Sequence, residues 1–240
     1  MKLVVLSGAG ISAESGIRTF RDSADGLWNE FKIEEVCTAD AWNLNPTVVN
    51  DFYNMRRIDV LNAEPNKAHV DLAEAEEDFE IQIITTNVDD LHERAGSTNV
   101  LHLHGHLLKA RTSRDGIDNL PDDLVEPFIV PVGREGIKPM QAAKDGSLLR
   151  PHIVLFQEAV PNLTKAIDLV KEADALIVVG TSLNVYPAAS LVYDVKEGCK
   201  VFYVDPTNDT DTPLTFPCRH VKANATSGIQ MVLTKLRELL

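Results

Sequence analysis

From residue 152 onward, short apolar runs alternate with amphipathic ones: "HIVLF", "NLTKAIDLVKEAD", "ALIVVG", "PAASLVYDVKEG", "KVFYVD" and "TSGIQMVLTKLRELL". A run such as "ALIVV" has no polar face to turn toward water. A strand made from it must be covered on both sides, and the helices between the runs are the available cover. Helices alternating with strands of this kind predict an α/β fold built on a doubly wound parallel sheet. Thr226 stands where the last helix needs an N-cap. Ligands of such sheets sit beyond the carboxyl ends of the strands, so the residues that follow each strand carry the functional information.

The chain begins with another apolar strand, "KLVVLS", which runs into Gly8-Ala9-Gly10-Ile11-Ser12-Ala13, the G-x-G-x-x-A form of a dinucleotide fingerprint. Bare backbone at Gly8 and Gly10 would let a pyrophosphate approach main-chain N–H groups at a helix start, although a plain strand-to-helix turn has the same pattern. The usual sequel, a second strand ending in an acidic ribose ligand about 20 residues on, is missing. A loop, "RTFRDSADGLWNEF", comes instead, followed by two helical patterns that each open on proline. The first starts at Pro46 with Val48, Val49, Phe52, Met55 and Val60 at helical spacing; the second is "PNKAHVDLAEAEED". They read as a helical insertion over about residues 30–80. Strand character returns in "IQIITTNV" and "VLHLH", with "DDLHERAG" between them as a short helix closed by Gly96. From about residue 108 to 150 the pattern dissolves into turn residues and short apolar runs, a second, irregular insertion within one domain spanning 1–240.

Composition narrows the function classes. A chain of 240 residues with 44% apolar content can bury one sizeable core with a small satellite. Its first apolar stretch ends at Ser7, too short for a secretory signal, and no later run approaches membrane-spanning length; a cytoplasmic protein without membrane contact is expected. Cys37, Cys199 and Cys218 are isolated and never in C-x-x-C spacing, which argues against a disulfide framework or a sulfur-held zinc. The net charge of -13 argues against a nucleic-acid partner and suits lysine-bearing ones.

The strand ends are chemically loaded. Gly8-Ala9-Gly10 follows the first strand, Thr85-Thr86-Asn87-Val88-Asp89 follows "IQII", His104-Gly105 follows "VLHL", and Gly180-Thr181-Ser182 follows "ALIVV". All four can converge on one crevice, although Asn87 or Asp89 could equally cap the next helix. "VLHLHGH" places His102, His104 and His106 at every second position. On a strand that spacing puts three imidazoles on one face, which suits a zinc site, a catalytic base, or neither.

Taken together, "GAGISAESGIRTFRDSADGLW" (8–28), "TTNVDDLHERAG" (85–96), "HLHGHL" (102–107), "LLRPHIVLFQE" (148–158) and "GTSLNVYPAASL" (180–191) resemble the sirtuin family, the NAD-dependent protein deacylases. The resemblance implies a Rossmann-like large lobe, a smaller lobe formed by the two insertions, and NAD with an acyl-lysine protein in the cleft between them. NAD would be consumed as co-substrate. Carried onto matching positions, it assigns the pyrophosphate to Gly8, Ala9 and Gly10, with Ile11, Ser12, Arg21 and Trp28 in the same binding stretch and Phe20 over the reacting ribose. Thr86, Asn87 and Asp89 would hold the nicotinamide end, and Gly180, Thr181, Ser182 and Ala225 the adenosine side. His104 matches the general base, whereas His102 and His106 match no family role. Phe156 would contact substrate, and Tyr53 with Arg56, at i and i+3 of one helix, match a pair that reads acidic acyl chains in the desuccinylase and demalonylase subgroup. Without the resemblance, that pair would pass for a solvated helix surface.

The departures are as informative. Thr86 replaces a usual Gln, Gln157 a usual Gly, and Tyr203 an Asn that often meets the adenosine ribose. Most sirtuins hold a structural zinc with two Cys-x-x-Cys-Gly pairs. Here the matching stretches are Thr112-Ser113-Arg114-Asp115-Gly116 and Ala142-Ala143-Lys144-Asp145-Gly146, so no zinc is expected. Burial of Leu124, Val125, Phe128, Ile129, Val130 and Val132 would have to hold the lobe instead. The alternatives to a deacylase are an ADP-ribosyltransferase, an NAD hydrolase, and an NAD-sensing module of low turnover.

Overall fold

The computed structural model describes residues 1–19, 31–113, 129–206 and 216–240. Six strands form a sheet in which every ladder is parallel: β1 (Lys2–Ser7), β2 (Glu80–Thr85), β3 (Val100–His102), β7 (Ala175–Val179), β8 (Lys200–Val204) and β9 (Arg219–Val221), in the order β3-β2-β1-β7-β8-β9. Period-two alternation sends Leu3, Val5, Ile177 and Val179 to one face and Val4, Leu6, Leu176 and Val178 to the other. Helices Lys67–Glu74 and Ala225–Arg237 cover the first face through Ala68, Leu72, Ile229 and Leu233. Helix Leu163–Glu172 and a 3-10 turn at Ala188–Tyr193 cover the second through Ala166, Val170 and Leu191. This is the Rossmann-like α/β architecture that the alternating runs require. The strand order reverses at β1, between β2 and β7, which opens a crevice at its carboxyl end.

Between β3 and β7 the chain builds a second, antiparallel sheet, β5-β4-β6, from β4 (Gly105–Thr112), β5 (Ile129–Pro131) and β6 (Leu149–Ile153). The "HIVLF" strand is therefore not part of the parallel sheet. Its C-terminal half runs on as loop, while Leu149 and Arg150 pair with Thr112 and Arg111 of β4. An apolar run specifies a strand but not its partner, and β4 is too weakly patterned to stand out from the irregular stretch that follows it.

The proline-opened helix Pro46–Asn62 lies against this small sheet, with Asn45 as its N-cap and Pro46 in its first turn. Three polar side chains on one stripe of it bond to main-chain carbonyls: Asn50 to Leu149 at 3.2 Å, Asn54 to Ile137 at 2.8 Å and Arg57 to Leu107 at 2.9 Å. Apolar contacts from Val49, Phe52, Tyr53 and Val60 complete the joint with Leu107, Ile153 and Leu155. A smaller cluster of Ala110, Val132, Ile137 and Leu149 fills the far end. Of the residues expected to hold this lobe by burial, Ile129 and Val132 are buried and Val130 is half-buried, while Leu124, Val125 and Phe128 lie outside the described residues.

Three boundaries differ from the sequence expectation. Pro65 does not open the second helix. Asn66 caps it, bonding Ala68 N–H, with His69 Nδ1 accepting the Asn66 N–H in a capping box, and the helix covers the sheet rather than extending the insertion. Thr226 is not the cap of the last helix; Asn224 occupies that position, and Thr226 bonds Glu14 through its N–H and hydroxyl. The segment after Pro187 winds as a six-residue 3-10 turn instead of an α-helix. Among the described residues no helix is long and apolar enough to cross a membrane.

Candidate active site

A cleft of about 260 Å³ opens where the carboxyl ends of β1, β2 and β7 meet the small lobe. Gly8, Ala9 and Ser12 line it from β1, Thr86, Asn87 and Asp89 from β2, His104 from the segment after β3, and Gly180, Thr181 and Ser182 from β7. The small lobe contributes Tyr53, Arg56 and Phe156. Thirteen positions singled out by sequence thus share one cavity. Gly10, Ile11 and Ala225 do not line it: Ile11 and Ala225 are buried in the sheet core. Phe20, Arg21 and Trp28 lie outside the described residues.

The glycines of the fingerprint have a structural task of their own. Gly8 N–H donates to the Val179 carbonyl at 3.0 Å and Gly10 N–H to the Gly180 carbonyl at 2.8 Å, so both donors are engaged within the fold. A Cβ on Gly8 would meet the Gly180 carbonyl oxygen at 2.7 Å, and one on Gly10 would meet Gly180 Cα at 2.7 Å. The bare backbone lets the ends of β1 and β7 close together, which sets the floor of the cleft.

The carboxamide and carboxylate beyond β2 are buried and tied together. Asn87 Nδ2 donates to Ser12 Oγ at 3.1 Å, and Ser12 Oγ donates to Asp89 Oδ2 at 3.0 Å. Burial raises the Asp89 carboxyl above its usual range, opposed by the Leu91 N–H and the Ser12 hydroxyl. Asp89 also accepts the Leu91 N–H at 3.2 Å, so the helix-capping role and the cleft position belong to the same side chain. Thr86 is turned toward the main chain, its hydroxyl donating to the Ser7 carbonyl at 3.3 Å. Tyr203 is a core residue whose hydroxyl reaches the Thr181 carbonyl at 3.0 Å and braces the β7 loop from below. Sequence marked it only as a departure.

The three histidines do not share a face. β3 ends at His102, and Gly105 adopts φ +87°, where a Cβ would collide with the His152 carbonyl. That bend breaks the alternation and sends His104 alone into the cleft. Burial holds the His104 imidazole below its ordinary range, with its bond to the Thr86 backbone carbonyl opposing, so it stays neutral and able to accept a proton at neutral pH. His102 and His106 sit together, ring centroids 5.2 Å apart, beside Glu93.

Tyr53 and Arg56, which also line the cleft, are buried, which removes the solvated-surface reading. The Tyr53 hydroxyl donates to Cys37 Sγ at 3.5 Å; Arg56 bonds Asp59 Oδ2 at 3.1 Å and the Arg18 carbonyl at 3.3 Å. Arg18 and Cys37 also line the cleft, and nothing in their sequence setting marked them. Phe156 uses its N–H on the Cys37 carbonyl and its carbonyl on the Ala39 N–H, joining the two parts of the small lobe. Gln157 takes φ +77° and exchanges two bonds with Asp40, Nε2 to Oδ2 at 2.8 Å and Asp40 N–H to Oε1 at 3.1 Å. The glycine usual at this place would supply the backbone angle but not the clasp.

Residues 8–187 match the model of the Sir2 family. The chain is 48% identical over 238 residues to an NAD-dependent protein deacylase of Helicobacter pylori, covering 99% of this chain and 98% of that one. It is 52% identical over 208 residues to an NAD-dependent protein deacylase of Aggregatibacter actinomycetemcomitans, covering 86% and 94%. Among solved structures it is similar to a Sir2 homologue in complex with NAD, at TM-score 0.82 and 40% identity over 99% of this chain and 90% of that one.

Proposed function

The chain belongs to the Sir2 family and is an NAD-dependent protein deacylase, and on that premise we propose that it prefers lysines bearing succinyl, malonyl or glutaryl chains over acetyl-lysine. The observation that carries this reading is Tyr53 and Arg56, both buried and both lining the cleft that His104 also lines. Arg56 presents a fixed cation with a planar donor fork to whatever fills the cleft, and Tyr53 a hydroxyl. An acyl carboxylate would displace the contacts to Asp59 and Cys37 and take their donors. In the same reading Gly8 and Ala9 lie along the pyrophosphate, Asn87 and Asp89 hold the nicotinamide end, and Gly180, Thr181 and Ser182 hold the adenosine side. The acyl oxygen attacks C1′ of the nicotinamide ribose as nicotinamide leaves. His104, kept neutral by burial, then takes a proton from a ribose hydroxyl so that this oxygen can attack the acyl carbon. Water then adds to the acyl carbon as the lysine amine leaves with a proton, and the products are free lysine, nicotinamide and O-acyl-ADP-ribose.

The small lobe is held without the zinc that the family usually carries there. Thr112 Oγ1 donates to Asp145 Oδ2 at 2.7 Å and contacts the Ser147 hydroxyl, and Asp145 Oδ1 accepts the Ser147 N–H at 3.1 Å. Hard oxygens already bonded to one another do not fit a metal that is held by thiolates, and Ala142 and Ala143 offer no ligand atom. Arg114, Asp115 and Gly116 lie outside the described residues. Buried charge supports the same lobe: Glu158 accepts both Arg150 nitrogens, at 2.7 and 3.1 Å, and Arg111 at 3.3 Å.

A mass-spectrometric assay on a panel of acylated peptides tests the acyl preference. Arg56→Met should lower activity on succinyl-lysine by about 10–100-fold more than on acetyl-lysine, the equivalent of one hydrogen bond to a charged group. Equal losses on both peptides would assign Arg56 to structure. NAD turnover that does not need an acyl-lysine peptide would favour hydrolysis over deacylation.

A further inference from the structure

His102 and His106 match no family role in the reaction, yet the fold brings them to one point with Glu93, which lies on the short helix after β2. One ligand atom from each of the three lies within 4.8 Å of the others, the one such group among the described residues. We propose that Glu93, His102 and His106 form a binding site for a zinc-type transition-metal dication, with its remaining coordination position open to water.

The bonding around His102 carries the inference. Its Nδ1 lies 2.9 Å from the Asn87 carbonyl oxygen, a group that can only accept, so Nδ1 carries a proton. Its Nε2 lies 2.8 Å from Glu93 Oε1. At that distance a proton bridges the two atoms, and a metal would take the proton's place once they part by about half an ångström. A ring whose far nitrogen is fixed on a backbone carbonyl is also the usual arrangement around a metal-ligating histidine, since it sets the tautomer and aims the other nitrogen.

Two imidazoles and one carboxylate are the donors that zinc-type ions take, and they are poor company for magnesium or calcium. The ligands stand on three separate elements and are accessible, since the Glu93 side chain is 38% exposed and His106 is half-buried. Tetrahedral zinc bonds of about 2.0 Å set ligand atoms about 3.3 Å apart, so closing the triangle takes a shift of at most roughly 1.5 Å. The ring must also release the Leu108 N–H from Nδ1, a bond of 3.2 Å, or turn over. Lys109 stands near His106 and opposes a cation, and Asp89 draws one toward His102. The site is separate from the lobe's oxygen cluster at Thr112 and Asp145 and excludes His104, which faces the cleft. Its link to the cleft is the Asn87 carbonyl.

The full chain, stripped with a chelator, is titrated with Zn²⁺ against a chromophoric competitor and with Co²⁺ by visible absorption. One equivalent should bind at micromolar concentration or tighter, and cobalt should give the intense bands of a four-coordinate site. Glu93→Gln and His106→Ala, checked for an unchanged melting curve without metal, should each weaken binding at least tenfold, and His104→Ala should not. In the unmodified chain cobalt should shift the ring-proton resonances of two histidines, a readout that needs no variant to fold. Binding only at millimolar metal, binding equal in both variants, or no shifted histidine pair would overturn the proposal.

Discussion

Replacing Glu158 by Ala should be among the most costly single changes in the small lobe. Its carboxylate takes two nitrogens of Arg150 and one of Arg111, and both arginines are only 4% exposed. It also accepts the Leu155 N–H at 2.8 Å, which fixes the loop after β6. The guanidinium groups keep other contacts: both reach the Ile153 carbonyl, and Arg150 lies over the Trp42 ring at 5.3 Å. Neither contact supplies a negative charge. Removing one partner from a buried ion pair typically costs ~3–5 kcal/mol. The retained contacts point to the lower end, and in a chain of this size about 3 kcal/mol lowers the melting temperature by roughly 6–12 °C. Urea denaturation of the purified variant measures the loss directly. Glu158→Gln should recover part of it, because the amide oxygen can still accept. A loss under about 1 kcal/mol for Glu158→Ala would mean that the arginines find solvent or another anion, and that the triad does not hold the lobe.

Three further outcomes follow from the same geometry. His104→Ala should slow deacylation by ~10²–10⁴-fold with little change in melting temperature, since it removes a base and no core volume, and His106→Ala should leave the rate near normal; equal losses would return the catalytic question to all three histidines. Chelator-treated protein should keep its far-ultraviolet dichroism and its deacylase rate, whereas unfolding on metal removal would refute the oxygen-bonded lobe. Burial holds His69 at about 4, so below pH 6.5 the unfolded chain binds a proton that the folded one refuses. Stability should therefore fall as pH drops from about 6.5 to 4, with a slope of up to ~1.4 kcal/mol per unit from this residue. His69→Gln keeps an acceptor for the Asn66 N–H and should flatten that slope; an unchanged slope would put the proton elsewhere.

Local sequence determined what local physics decides. The apolar runs at 3–6, 81–84, 175–179 and 201–204 could only be strands covered on both faces, and they form the parallel sheet. Pro46 after Asn45 could only start a helix, and Gly96 could only end one, at φ +108°. Because ligand-facing residues follow strand ends in any such sheet, the cleft was legible before its geometry was known. Tertiary structure decided whatever depends on partners. "HIVLF" is as good a strand for one sheet as for another, and only the bend at Gly105, which opens β4, gave it an antiparallel neighbour. The same bend parted His104 from His102 and His106, which alternation alone had set on one face. The N–H groups of Gly8 and Gly10 close β1 onto β7, a hydrogen bond between strand ends that is invisible until both ends are placed. Arg18 and Cys37 reached the cleft, and Glu158 met two arginines, through contacts far apart in the chain, for which no spacing in the sequence gives a signal.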